Sequence, residues 1–196
     1  MKSVYNFVVT PKGERYNNSK KIDGGELILN TEIFNHQYVN REAIVVSVPM
    51  VGHTDILPGD TVVVHHNVFR RWHNMRGIEK NSKSYFNEST YMISSDQIFL
   101  YKRDNKWIAP QGYCFVKPLK AINPLNINLE KPLQGGVMYS DNTVEVGDLV
   151  GFKPNSEYEF IIDGERLYRV LSNLITIKYE YQGDEEEYNP SWAQGG

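Results

Sequence analysis

Several stretches of this chain recur in the same order in its second half, and that repeat constrains the fold more than any other feature. Phe7-Val8-Val9-Thr10-Pro11 corresponds to Cys114-Phe115-Val116-Lys117-Pro118. Leu57-Pro58-Gly59-Asp60-Thr61-Val62 corresponds to Val144-Glu145-Val146-Gly147-Asp148-Leu149-Val150 around a shared Gly-Asp, and Tyr91–Tyr101 corresponds to Leu167–Ile177. Each Gly-Asp taken alone is a turn leading into a strand, because glycine is free to take positive φ and aspartate can bond nearby backbone. Taken in order, the motifs divide the 196 residues into two like domains, 1–104 and 105–182, followed by an acidic tail, 183–196, expected to be flexible.

The apolar stretches are short, rich in Val, Ile, Tyr and Phe, and bounded by Gly, Pro, Asn or Asp, which marks β-strands and turns. In the first domain they predict strands at Tyr5–Val9, Ala43–Val48, Thr61–His66, Tyr91–Ile93 and Gln97–Tyr101. In the second they predict Tyr113–Val116, Gly136–Tyr139, Leu149–Phe152, Glu159–Ile162, Leu167–Leu171 and Leu174–Tyr179. Helical periodicity is almost absent. The expected class is all-β, with two tandem β-barrel domains.

The first copy is the longer one, through a loop over 12–41 and an insertion over 67–84. Long connections in compact domains are usually functional or disordered, so function is sought there. The loop is polar, Lys12-Gly13-Glu14-Arg15-Tyr16-Asn17-Asn18-Ser19-Lys20-Lys21-Ile22-Asp23, and then reads Gly24-Gly25-Glu26-Leu27-Ile28-Leu29. One reading of the aliphatic triplet is another short strand helping to fill the core. The other depends on what surrounds it: a strand before the loop, a strand at Ala43–Val48 after it, then Gly59-Asp60 and Val62–Val64. That arrangement resembles the GroES family of co-chaperonins. The second copy adds Val146-Gly147-Asp148-Leu149-Val150-Gly151-Phe152, Ile161-Ile162-Asp163-Gly164-Glu165 and Leu174-Ile175-Thr176-Ile177, similar to that family's Gly-Asp strand, hairpin and closing strand.

The resemblance implies two GroES-like barrels and no enzymatic activity. It implies that Gly24, Gly25, Leu27, Ile28 and Leu29 form a mobile loop that binds a GroEL-type chaperonin, capping it in its nucleotide-bound state around a folding chamber. It further implies a homo-oligomeric ring, commonly of seven subunits, and no cofactor of its own, ATP being bound by the chaperonin. The chain departs from the family in having two domains and in lacking room for a dome hairpin at Pro49–Pro58 or Ser140–Val146. In the second copy the corresponding segment, Lys120–Leu133, has no Gly-Gly-aliphatic triplet; its Leu125, Ile127 and Leu129 alternate with asparagines and suit either a strand or a second chaperonin contact. Divergent lids of this kind resemble those carried by bacteriophages.

The remaining features weigh other classes. The formal charge of −3 gives no global basic field for nucleic acid, and no apolar run approaches a membrane span or a signal peptide, so the expected location is the cytoplasm, a host's cytoplasm if the chain is viral. The single cysteine, Cys114, allows no internal disulfide and reads as a small buried hydrophobe. His65 and His66 are adjacent, so on a strand they face opposite sides and do not share an ion with His73; no metal site is expected. Arg70, Arg71, Trp72, His73, Arg76, Lys80 and Lys83 form a basic segment with an aromatic. It reads as a solvated insertion against a neighbouring subunit or, as the main rival, as the nucleic-acid contact of a β-barrel module. A purely structural oligomer, such as a virion component, is the third reading. No Gly-x-Ser-x-Gly elbow and no paired Cys ligands are present. The run Asp184-Glu185-Glu186-Glu187 reads as a solvated acidic end, with Trp192 beyond it.

Overall fold

The computed structural model describes residues 2–16, 19–23, 25–28, 39–121, 130–181, 183 and 186–187, and it is all-β apart from short 3-10 turns at Ser95–Gln97 and Ser172–Leu174. The chain divides into two compact units, Met1–Lys106 and Trp107–Gly196. The first carries β1 (Phe7–Pro11), β2 (Ser19–Ile22), β3 (Gly25–Ile28), β4 (Glu42–Ser47), β5 (Thr61–Val64), β6 (Arg71–His73), β7 (Glu79–Asn81), β8 (Tyr85–Asn87), β9 (Thr90–Ile93) and β10 (Ile98–Arg103). Strand β11 (Lys106–Ile108) spans the division. The second carries β12 (Tyr113–Lys120), β13 (Glu130–Ser140), β14 (Leu149–Phe152), β15 (Tyr158–Ile162), β16 (Glu165–Leu171) and β17 (Ile175–Tyr179). The boundary lies slightly later than the sequence places it. Asp104 and Asn105, at the expected division, both adopt positive φ and make the tight hairpin turn between β10 and β11.

The repeat is present in the topology. The first sheet runs β11-β10-β5-β4-β1-β9-β8 and the second β17-β14-β13-β12-β16-β15, so apart from β11 the strand orders coincide. The irregularities coincide too. Strand β1 is bulged between Val8 and Val9 against β4, and β12 between Phe115 and Val116 against β13. Register corrects the sequence correspondence by one residue: Val9 faces Tyr91 and Val116 faces Tyr168, so Tyr91 answers Tyr168, not Leu167.

Both Gly-Asp turns are built alike. Gly59 and Gly147 sit at φ +95° and +93°, where a side chain is strained. Asp60 accepts the Leu57 N–H at 2.8 Å and Asp148 the Glu145 N–H at 3.0 Å. Each aspartate is closed by a cation on the equivalent strand of its sheet, Arg103 of β10 at 2.6 Å and Lys178 of β17 at 2.8 Å. Burial pushes the Asp60 carboxyl up, but the Arg103 guanidinium and the Leu57 N–H outweigh it and hold the group below its ordinary 3.8. A folded pKa below the unfolded one stabilises above the unfolded value and is lost as pH falls through the folded value. The urea midpoint is therefore expected to drop below about pH 4, with Asp60→Asn flattening part of that acid limb. An Asp60→Asn midpoint that follows the wild-type curve in parallel would remove the turn from the account.

The cores are aliphatic and aromatic. In the first unit Val62, Val63, Val64, Phe69, Tyr91, Ile93 and Phe99 are buried, with Phe69 and Tyr91 edge to face at 4.7 Å. In the second, Cys114, Val116, Val137, Val150, Phe152 and Val170 pack together. Cys114 is fully enclosed, and burial raises its thiol to about 12, so it serves as packing. Adjacent glycines in β13 differ sharply. A Cβ on Gly135 would lie 2.7 Å from the Lys117 carbonyl oxygen and 2.9 Å from Val116 Cβ, whereas one on Gly136 meets nothing within 4 Å. Gly135→Ala is expected to cost about 1–3 kcal/mol by forcing β12 and β13 apart. Gly136→Ala should shift the urea midpoint little, and equal effects from the two would refute the close-approach argument.

Candidate functional site: the loop root and its brace

Within the long loop, β2 and β3 form an antiparallel hairpin, Ser19 opposite Ile28 and Ile22 opposite Gly25. This small sheet contains no other described strand. Gly25 lies on β3, and Leu27 is 49% exposed. The triplet thus begins on a strand, as one reading of the sequence has it, but Leu27 does not fill the core. Ile28 ends β3; Gly24 and Leu29 lie outside the described residues, as do Leu125, Ile127 and Leu129 of the second copy.

The base of the loop is tightly built. Tyr16 and Val39 form an isolated antiparallel bridge and are both buried. The Asn40 N–H donates to the Arg15 carbonyl at 2.9 Å, and the Asn40 side-chain amide donates to the Lys12 and Glu14 carbonyls at 3.0 and 2.9 Å. Lys12 and Glu42 pair at 2.6 Å across the exposed side. One short polar residue, Asn40, therefore satisfies backbone groups on both stalks of the loop.

The insertion over 67–84 reaches this base. Strands β6 and β7 make a ribbon in which Arg71 faces Asn81, Trp72 faces Lys80 and His73 faces Glu79. Arg15, only 8% exposed, donates to the Phe69 carbonyl from Nε and Nη2 at 3.3 and 3.1 Å, and from Nη2 to Asn81 Oδ1 at 2.8 Å. Its Nη1 lies 3.5 Å from Glu88, and its guanidinium stands over the rings of Tyr85 and Tyr91. Burial raises the Tyr91 hydroxyl to about 12, so it remains neutral beneath the cation. The Arg71 N–H donates to the Tyr16 hydroxyl at 2.7 Å, and Arg71 covers the Tyr16 ring while pairing with Glu79 at 3.5 Å. The insertion is thus a brace for the loop root.

The second copy has its own clamp at the same place in the sheet. Lys120 pairs with Glu130 across the base of the connection between β12 and β13. Arg166, 7% exposed, bonds Glu130 at 2.6 Å, Glu159 at 2.9 Å and the Tyr168 hydroxyl at 2.5 Å, and lies over the Tyr168 ring. Tyr168 is the counterpart of Tyr91, so each loop root is fastened by an arginine over the same tyrosine position. In the tail, Glu186 and Glu187 are solvated as expected, and they are also held. Glu187 bridges Leu119 and pairs with Lys117 at 3.0 Å, while Glu186 pairs with Lys120 at 2.8 Å and accepts its N–H at 2.7 Å. Two cations on β12 hold that part of the acidic run in place; Asp184, Glu185 and Trp192 lie outside the described residues.

His65 and His66 also differ from the strand expectation. Strand β5 ends at Val64, so alternation no longer applies, and their rings stack at 4.3 Å. The basic segment divides: Arg71 is engaged with Tyr16 and Glu79, whereas Arg70 and Lys83 take no ion pair among the described residues. Arg15, Tyr16, Asn40, Glu130 and Arg166 carry no local motif; the sequence repeat comes within one residue of pairing Tyr91 with Tyr168, and strand register completes the match. No helix among the described residues is long and apolar enough to cross a membrane. No known family model matches the chain, and no curated protein matches it in sequence.

Proposed function

We propose that the protein is a GroES-like co-chaperonin, built from two tandem barrels, whose first loop docks on the apical rim of a GroEL-type chaperonin in its nucleotide-bound state. The observation that carries this reading is a hairpin presenting the half-exposed Leu27 beyond a buried, hydrogen-bonded root. Gly24, Gly25, Leu27, Ile28 and Leu29 are the docking residues, with Leu125, Ile127 and Leu129 as a second contact. Burying three aliphatic side chains gains roughly 1.5–3 kcal/mol each, while ordering a loop costs ~1–2 kcal/mol per residue, so a single loop binds weakly. A ring of identical loops, seven in the family, raises attachment through effective concentration and still permits release. Val4, Tyr5, Met50 and Val51 are exposed apolar residues, and the N–H groups of Met50 and Val51 bond the Ser3 and Val4 carbonyls. They supply a surface for subunit contacts. ATP hydrolysis belongs to the partner, and the setting is the cytoplasm, a host's if the chain is viral.

The test is co-sedimentation of the purified protein with a bacterial chaperonin, with and without ATP or ADP. Binding that requires nucleotide is the expected result. Failure to bind the host's own chaperonin under every nucleotide condition would remove this reading and bring the nucleic-acid-binding module and the structural oligomer forward.

A further inference from the structure

The ribbon formed by β6 and β7 braces the loop root through Arg71 and Asn81, and its remaining side chains do something else. Successive residues on a strand point to opposite faces, so Trp72 points away from the face on which Arg71 meets Tyr16. Arg70, Trp72, Ser82, Lys83, Ser84 and Gln97 line an open cleft of about 600 Å³. That volume falls within the roughly 300–1,000 Å³ of small-molecule sites.

Its chemistry is selective. Among the described residues the lining holds two cations, one indole, hydroxyls and amides, and no carboxylate. Arg70 Nε is buried with no hydrogen-bond partner among the described residues, a donor of a permanently charged group without an acceptor there. Lys83 is exposed and takes no ion pair among the described residues. By contrast the neighbouring Arg15 and Arg71 have carboxylate partners, Glu88 and Glu79. The floor is ordered: the Gln97 side-chain amide donates to the buried Ser84 hydroxyl at 3.4 Å, and the Ser94 N–H holds Gln97 Oε1 at 3.1 Å. An inorganic anion would leave the indole and most of the volume unused, and an acidic peptide has no need of an aromatic platform.

We propose that the cleft binds a nucleotide unit, its base stacked on Trp72 and its phosphate between Arg70 and Lys83. Base stacking on aromatic side chains tolerates any base, and the two cations match phosphate. The unit is supplied either by a free mononucleotide or by a residue of a single strand. This inference rests on the cleft alone and does not depend on the chaperonin reading.

The full-length protein would be titrated by calorimetry and tryptophan fluorescence with uridine 5′-monophosphate, with an oligo-uridylate and with inorganic phosphate. Saturable binding of a nucleotide is expected, weakened about tenfold or more by Trp72→Ala and by Arg70→Ala. Lys83→Ala, at an exposed position, should weaken binding without altering the fold, which keeps the test decisive if Arg70→Ala fails to fold. Mononucleotide and oligonucleotide binding with equal affinity assigns a free nucleotide. Much tighter, salt-sensitive binding of the oligonucleotide assigns a single strand. Absence of nucleotide binding at millimolar concentration, or binding unchanged by Trp72→Ala and Lys83→Ala, or phosphate binding as tightly as the nucleotide, overturns the proposal.

Discussion

Replacing Leu27, Ile28 and Leu29 together by serine is expected to abolish nucleotide-dependent co-sedimentation with a chaperonin while leaving the urea midpoint close to wild type. Roughly 1.5–3 kcal/mol of apolar burial per side chain disappears, which leaves nothing to offset the entropy of ordering the loop. In the proposed ring the loops would act together, so the loss would be multiplied across subunits and no residual binding should survive. Stability should hold because Leu27 is already half exposed and, among the described strands, β3 pairs with β2 alone, outside the seven-stranded sheet. Leu27→Ser alone should weaken binding in part. If the triple variant still co-sediments as wild type does, the docking site is not this triplet. If it loses binding and also unfolds, the triplet belongs to the core after all.

Much of this architecture is legible in the sequence because turns and bulges leave chemical marks. Gly59-Asp60 and Gly147-Asp148 are visible as a repeat since only glycine sits comfortably at φ near +95° and only a short acceptor reaches the N–H three residues earlier. The Val-rich β5 and the Ile-Phe-Leu-Tyr of β10 announce buried strands. The loop root is opaque for the opposite reason. Arg15 in a polar tract looks like a solvated charge, and nothing in its neighbourhood says that Phe69 and Asn81 will close around it; its partners lie 54 and 66 residues away. Glu186 and Glu187 look like free acid for the same reason, their lysines being 66 and 70 residues distant. The basic insertion reads as one feature, yet a strand's alternation assigns Arg71 to the loop root and Trp72 to the cleft. Composition cannot make that division; register does.

Arg15→Ala is expected to destabilise the first unit by about 1–3 kcal/mol, the range for leaving buried hydrogen-bonding groups without their partner, since Glu88, its carboxylate partner, is exposed. The Phe69 carbonyl and Asn81 lose their donor, and Tyr85 and Tyr91 lose the cation above their rings. Arg15→Met retains the apolar stem and should recover part of the loss, separating packing from hydrogen bonding. Amide exchange locates the damage: the N–H groups of Asn40 and Arg71, bonded to the Arg15 carbonyl and the Tyr16 hydroxyl, should exchange about ten- to a hundredfold faster, at 1.4 kcal/mol per tenfold. Unchanged exchange at both, with an unchanged urea midpoint, would show that the insertion does not brace the loop. The functional consequence runs through entropy. A loop whose root is fixed has fewer residues to order on docking, so its aliphatic contacts count for more. An Arg15 variant with the triplet intact should then bind a chaperonin more weakly than wild type, by loosening the platform from which Leu27 is presented.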